Sequence, residues 1–89
     1  MEVVWTEYMQ YRLAVRGFEL AVVERIVKYS MERYFDQVTG RSIAIGRHDE
    51  RLVMIPYEAD GDTVAPVTIH ATTRQQINLR VKSGRFTNE

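Results

Sequence analysis

The sequence predicts an α+β domain in which two N-terminal helices pack on a three- to four-stranded antiparallel sheet, followed by a short C-terminal helix. Three observations predict it. Up to about residue 30 the apolar residues repeat with helical spacing, most clearly at Val22, Val23, Ile26 and Val27. From Met31 the period falls to two, and turn signals at Thr39-Gly40, His48-Asp49-Glu50 and Asp60-Gly61 leave no gap for a helix, the pattern of a meander. With 89 residues the chain has room for one core, so residues 1–89 are read as a single domain.

Each element has its own justification. Glu2–Trp5 is short and β-prone, an edge strand or a lead-in. Thr6 suits the N-cap of a helix reaching about Val15, with Met9 and Leu13 four apart, Trp5 as a staple and Gly17 as the stop. Phe18 restarts the pattern, and the stripe that follows ends near Tyr29-Ser30; its β-branched content means that packing rather than propensity must hold this helix. Glu32–Val38, Arg41–Arg47, Leu52–Tyr57 and Val64–His70 read as strands. In the second of these Ile43 and Ile45 share one face, expected to pack with Val53 and Ile55 against Val23, Ile26 and Val27, and Ser42, Ala44 and Gly46 share the other. Leu52–Tyr57 is apolar on both faces, as in a central strand, and Pro56 removes a ladder donor there and implies a bulge or an end.

The last stretch, Pro66–Phe86, holds the strongest candidate for a site. A strand ending in His70 feeds a helix that starts with a capping box, Thr72 with Gln75 or Thr73 with Gln76, and stops at Gly84. Net charge is +0, but residues 1–62 carry eight basic and eleven acidic side chains, whereas residues 63–89 carry Arg74, Arg80, Lys82 and Arg85 against Glu89 alone. Arg74 in the first turn opposes the helix dipole, so an anion or an acid is needed to compensate it. The site is therefore expected between His70 and Arg85 and expected to recognise an anion. At a strand end His70 equally suits a bond to a turn carbonyl. His48, beside Asp49 and Glu50, reads as a turn residue, and Arg12 and Arg16, one turn apart, as the outside of the first helix.

The same composition narrows the function classes. No cysteine is present, which removes disulfides and thiolate metal sites, and two histidines with no carboxylate at ligand spacing offer no metal site. No cofactor motif is found. The N-terminus has no basic, apolar leader and no stretch is long enough to span a bilayer, so a cytoplasmic location and no membrane partner are expected.

Several short stretches carry a family likeness. They are Arg12-Leu13-Ala14-Val15-Arg16-Gly17-Phe18 before the second helix, the hairpin Asp36–Gly46 with its strand Ile43-Ala44-Ile45-Gly46, Val53–Tyr57, Val67-Thr68-Ile69-His70 and Ser83-Gly84-Arg85-Phe86. Together with the element order they resemble the RelE/ParE superfamily of small toxins, and within it the BrnT-type ribonuclease toxins and an uncharacterised family related to them. The chain departs from that pattern in its neutral charge and in carrying Trp5, Tyr8 and Tyr11 where many relatives have a histidine. The resemblance implies the toxin of a toxin–antitoxin pair, a ribonuclease that works without a metal. In that chemistry His70 acts as acid or base with Arg74 as its catalytic cation, and Arg80, Lys82 and Arg85 bind RNA phosphate. Partners are then RNA and a cognate antitoxin or another acidic protein. The competing expectation is a toxin-like protein-binding module without catalysis. Leu52 and Met54, turned away from the helices, would in either case need cover, and a homodimer is the simplest source.

Overall fold

Thr6 and Gly17 bound the first helix as their chemistry requires. In the computed structural model, which describes residues 1–89, the Thr6 hydroxyl accepts from the Met9 N–H at 3.1 Å, and Gly17 closes α1 (Glu7–Arg16) at φ 75°, a left-handed conformation that favours glycine. The helix α2 (Leu20–Tyr29) follows, with no cap from its own N-terminal side chain. The third, α3 (Arg74–Lys82), is capped by Thr73, whose hydroxyl accepts from the Gln76 N–H at 3.1 Å. The strands are β1 (Glu2–Val3), β2 (Glu32–Asp36), β3 (Arg41–His48), β4 (Arg51–Asp60), β5 (Thr63–Pro66), β6 (His70–Ala71) and β7 (Phe86–Asn88). No helix is long and apolar enough to cross a membrane.

The class is α+β, but the sheet is larger than expected and mixed. Its order is β1-β5-β4-β3-β2-β7, with β6 also on β4 and β1 parallel to β5. The additions to the meander are β1 and β7, of two and three residues, too short for any alternation to register.

The helices also lie differently from expectation, on both faces of the sheet. Ala44, Val53, Ile55 and Tyr57 meet Met9, Leu13, Val23 and Val27 on the α1/α2 side. Ile43 and Ile45 face the opposite way, with Ile77 of α3 and Phe86, so they do not pack on α2 as the sequence reading had it. The reason is room. A Cβ on Gly46 would lie 2.6 Å from Cγ2 of Ile26, so α2 sits close over the small residues of β3, and the bulky isoleucines occupy the other side. Ala44 and Gly46 therefore form the floor beneath α2. Leu52 and Met54 do point away from α1 and α2, but they are half-buried against the Ile43–Phe86 cluster, so α3 supplies the cover that a second copy was expected to give.

One irregularity positions the site. Along β4, β5 pairs with Tyr57–Asp60 and β6 with Val53 and Met54, and residues 67–69 leave the ladder between them. Pro56 lies opposite this gap, and its carbonyl accepts from the Val67 N–H at 2.8 Å. The N–H and C=O of an antiparallel strand residue point the same way, so the donor Pro56 lacks would have faced this gap. β4 itself runs through Pro56 to Asp60 in unbroken register, so the bulge or end expected there is not made; the break falls in the pairing strand, which resumes at His70.

Candidate functional site: a cleft between the split strand and the third helix

The break sets His70 at a local edge of the sheet, where β4 is its only neighbouring strand. Beside it opens a cleft of 390 Å³ lined by Met54, His70, Thr72, Gln76, Arg80 and Arg85. A second hollow of 200 Å³ shares Met54, His70 and Arg85 with the first and extends past Thr68 toward Asp36. Of the residues singled out from sequence, His70, Arg80 and Arg85 are thus brought together. Two are not. Lys82 is exposed at the end of α3 and does not line the cleft. Arg74 also lies outside it, its guanidinium clasping both carboxylate oxygens of Glu32 at 2.6 and 3.0 Å. The dipole conflict at Arg74 is met by an acid of the same chain, 42 residues away in sequence. That pair holds Glu32 below the usual carboxylate range, with the Tyr34 hydroxyl helping.

The cleft's two arginines differ in what holds them. Arg85 donates from Nε and Nη2 to the two oxygens of Asp36 at 2.9 and 3.0 Å. Asp36, nearly fully buried, also accepts from the Val38 N–H and the Thr39 hydroxyl, each at 3.0 Å. Arg85 first, then these two donors, bring the carboxyl down to about 2. Arg85 is therefore neutralised and serves to fix the cleft wall. Arg80 has no acidic partner; its Nη1 lies 3.2 Å from Sδ of Met54 and its guanidinium 5.6 Å from the centre of the Phe86 ring. It is a half-buried cation facing the cleft.

His70 is half-buried, and burial pushes its imidazole toward the neutral form. The positive charges of Arg16, Arg12 and Arg80 push in the same direction, and no hydrogen bond opposes them. The carbonyl bond that a strand-end histidine suits is not made by His70. Its neighbour Ile69 presents the free carbonyl instead, and Arg16 donates to it. Arg12 and Arg16 are thus not simply the outside of a helix: they turn toward the split strand from one face of the sheet while Arg80 approaches from the other. Neither makes an ion pair. Sequence reasoning missed them because a helix in isolation does not reveal which strand edge it overhangs. The available signal was their spacing, which puts both on one face.

Two polar atoms in the chain are buried without a partner, Nε of Arg12 and the hydroxyl of Thr68, the latter lining the second hollow. Native chains pair most such groups, so the Thr68 hydroxyl stands out in the wall of this hollow. No three His, Asp or Glu side chains converge on a common point, so no ligand set is offered to a metal ion. The chain matches no protein-family model, no curated protein and no solved structure.

Proposed function

We propose that the cleft binds a phosphate of single-stranded RNA and that His70 cleaves the bond beside it, giving the metal-independent ribonuclease activity of a toxin-type protein. The observation that carries this is the company His70 keeps: an imidazole with no hydrogen-bond partner, among Arg12, Arg16 and Arg80, none of which has an acid. A neutral imidazole is the form that accepts a proton. His70 takes it from the ribose 2′-OH, O2′ attacks phosphorus, and the P–O5′ bond breaks to leave a 2′,3′-cyclic phosphate. The imidazolium or water returns a proton to O5′. Arg80 stabilises the charge that builds on the non-bridging oxygens, a role that planar bidentate donors fill well. The resemblance noted in Arg12–Phe18, Val67–His70 and Ser83–Phe86 supports the same reading.

One observation favours a second reading, the binding module without catalysis. The nearest carboxyl to the cleft, Asp36, is held ionised by Arg85 and cannot protonate a leaving oxygen. An acidic segment of an antitoxin or another protein would then fill the same cationic cleft.

Titration of labelled single-stranded RNA into wild type, Arg80→Ala and His70→Ala at two salt concentrations separates these readings. Wild type should bind more weakly as salt rises, and Arg80→Ala should bind more weakly with a log–log salt slope smaller by about 0.7 for one lost phosphate contact. His70→Ala should bind but leave the strand intact, and wild-type cleavage should decline as pH falls through the depressed His70 pKa. Binding that ignores both salt and Arg80 rules out the RNA reading; salt-dependent binding with no cleavage at any pH leaves the module.

A further inference from the structure

We propose that the outer face of α1 is a stacking platform for the RNA strand as it leaves the cleft, with Tyr8 and Tyr11 each taking a base and Arg12 and Arg16 the phosphate between platform and cleft. The proposal rests on the RNA reading above and extends it beyond the cleft to a surface the reaction itself does not need.

Four observations lead there. Tyr8 and Tyr11 are 57% and 67% exposed, as Tyr29 of α2 is at 73%, whereas Tyr34 stacks on Phe86 and Tyr57 is buried. Three residues apart on a helix, the two rings lie side by side on one face. Arg12, one turn on from Tyr8, bonds its hydroxyl and holds its guanidinium 5.5 Å from the ring centre, so ring and cation form one unit. Neither Arg12 nor Arg16 makes an ion pair, so the charge along this face is not neutralised within the chain.

The platform meets the cleft through the split strand, α1 lying on one face of the sheet and the cleft beside α3 on the other. Arg16 grips the carbonyl of Ile69, next to His70, and the charges of both arginines are felt at the His70 imidazole. From Tyr8 to Arg16 is about 12 Å along the helix axis. The only acid on α1 is Glu7, in its first turn, so nothing on the helix neutralises the path between. Exposed rings interleaved with unpaired guanidinium groups suit the flat faces and charged linkers of a nucleic-acid strand, and stacking of this kind tolerates any sequence. An acidic peptide would need the arginines but gain little from two solvent-facing rings.

The test uses two probes that cannot be cleaved, a 2′-O-methylated, 5′-phosphorylated uridine dinucleotide and a 2′-O-methylated decauridylate, with wild type, Tyr8→Ala/Tyr11→Ala, Tyr8→Phe/Tyr11→Phe and Arg80→Ala. Both tyrosines are exposed, so the variants should melt as wild type does. The alanine pair should lose at least about 30-fold in affinity for the decamer, the lower end for two stacked bases, and stay within about twofold for the dinucleotide. The phenylalanine pair should keep most of the decamer affinity, because the faces remain. Loss on both probes in Arg80→Ala with none in the alanine pair overturns the platform and leaves the cleft; loss in neither overturns both. Equal loss on the two lengths, or tight binding of an oligoglutamate peptide that the alanine pair abolishes, assigns the face to something other than a strand leaving the cleft and likewise overturns the platform.

Discussion

His48 and His70 are one residue type in two environments. His48 ends β3 and is almost completely buried, edge-on to Phe18 at 5.1 Å between ring centres. Its Nε2 accepts from the Glu19 N–H at 2.8 Å, which supplies α2 with the N-terminal cap its own residues do not give. Its Nδ1 lies 3.5 Å from the Asp49 carboxylate and 3.4 Å from Nη2 of Arg51. His70 has no such bond, and burial first, then the charges of Arg16, Arg12 and Arg80, favour its neutral form. A buried histidine whose ring nitrogen caps a helix of its own chain is part of the scaffold. One held half-buried with its hydrogen-bonding capacity unused is open to a ligand.

Several measurements can break or sharpen the contrast. The largest effect is expected at His48→Ala, which leaves the Glu19 N–H unpaired and opens a cavity beside Phe18. Together these cost about 3 kcal/mol, or a fall in Tm of about 15 °C for a chain of this length. His70→Ala, by contrast, should stay within about 0.5 kcal/mol in the same melts while abolishing cleavage. Equal destabilisation by the two variants would end the distinction.

Next in size is Arg85→Ala. Removing one partner of a fully buried ion pair costs about 3–5 kcal/mol, and because Arg85 is 32% exposed, about 2 kcal/mol is expected here in urea unfolding. The same pair gives an acid limb. The folded-state pKa of Asp36 lies below its ordinary value, so its contribution is complete above the usual aspartate range and is lost as pH falls through about 2. Asp36→Asn should flatten that limb; an unchanged limb would assign acid unfolding to other carboxyls.

A smaller pH effect of a different origin belongs to His70. Its folded pKa is also depressed, so around pH 6 the unfolded chain binds more protons than the folded one, and stability rises with pH. That contribution is complete above the ordinary histidine value and is lost as pH falls from there through the folded one. His70→Gln should remove this segment of the curve, and inorganic phosphate should move the His70 NMR titration upward, since an anion favours the imidazolium. No movement would mean that the cleft does not hold phosphate beside the ring. The smallest effect is expected at Arg74→Ala, which gives up a solvent-exposed pair with Glu32 and should leave RNA affinity unchanged. If Arg74→Ala abolishes binding and Arg80→Ala does not, the site lies at the start of α3 instead.

Much of this was legible in the residues alone. Thr6, Thr73, Gly17 and Gly84 mark helix ends because caps and left-handed turns are local chemistry, complete within four residues. The switch of period at Met31 marked where helices give way to strands. His70, Arg80 and Arg85 were found in one segment because that segment is short enough to form one wall of a cleft.

What the sequence could not carry is whatever depends on which surface meets which. Alternation says that Ile43 and Ile45 share a face, but only the close approach of Ile26 over Gly46 decides which face belongs to α2. A cation in a first turn announces a need for an anion; the fold decided that Glu32 answers it for Arg74 and that no acid does so for Arg80. Two histidines are indistinguishable as letters until one is buried against a helix start and the other left beside Arg12 and Arg16. Local chemistry acts over a few residues and is written in order along the chain, so sequence alone determined the elements and their ends. Pairing of charges and choice of face act through space between residues tens of positions apart, and only the packed chain brings those together.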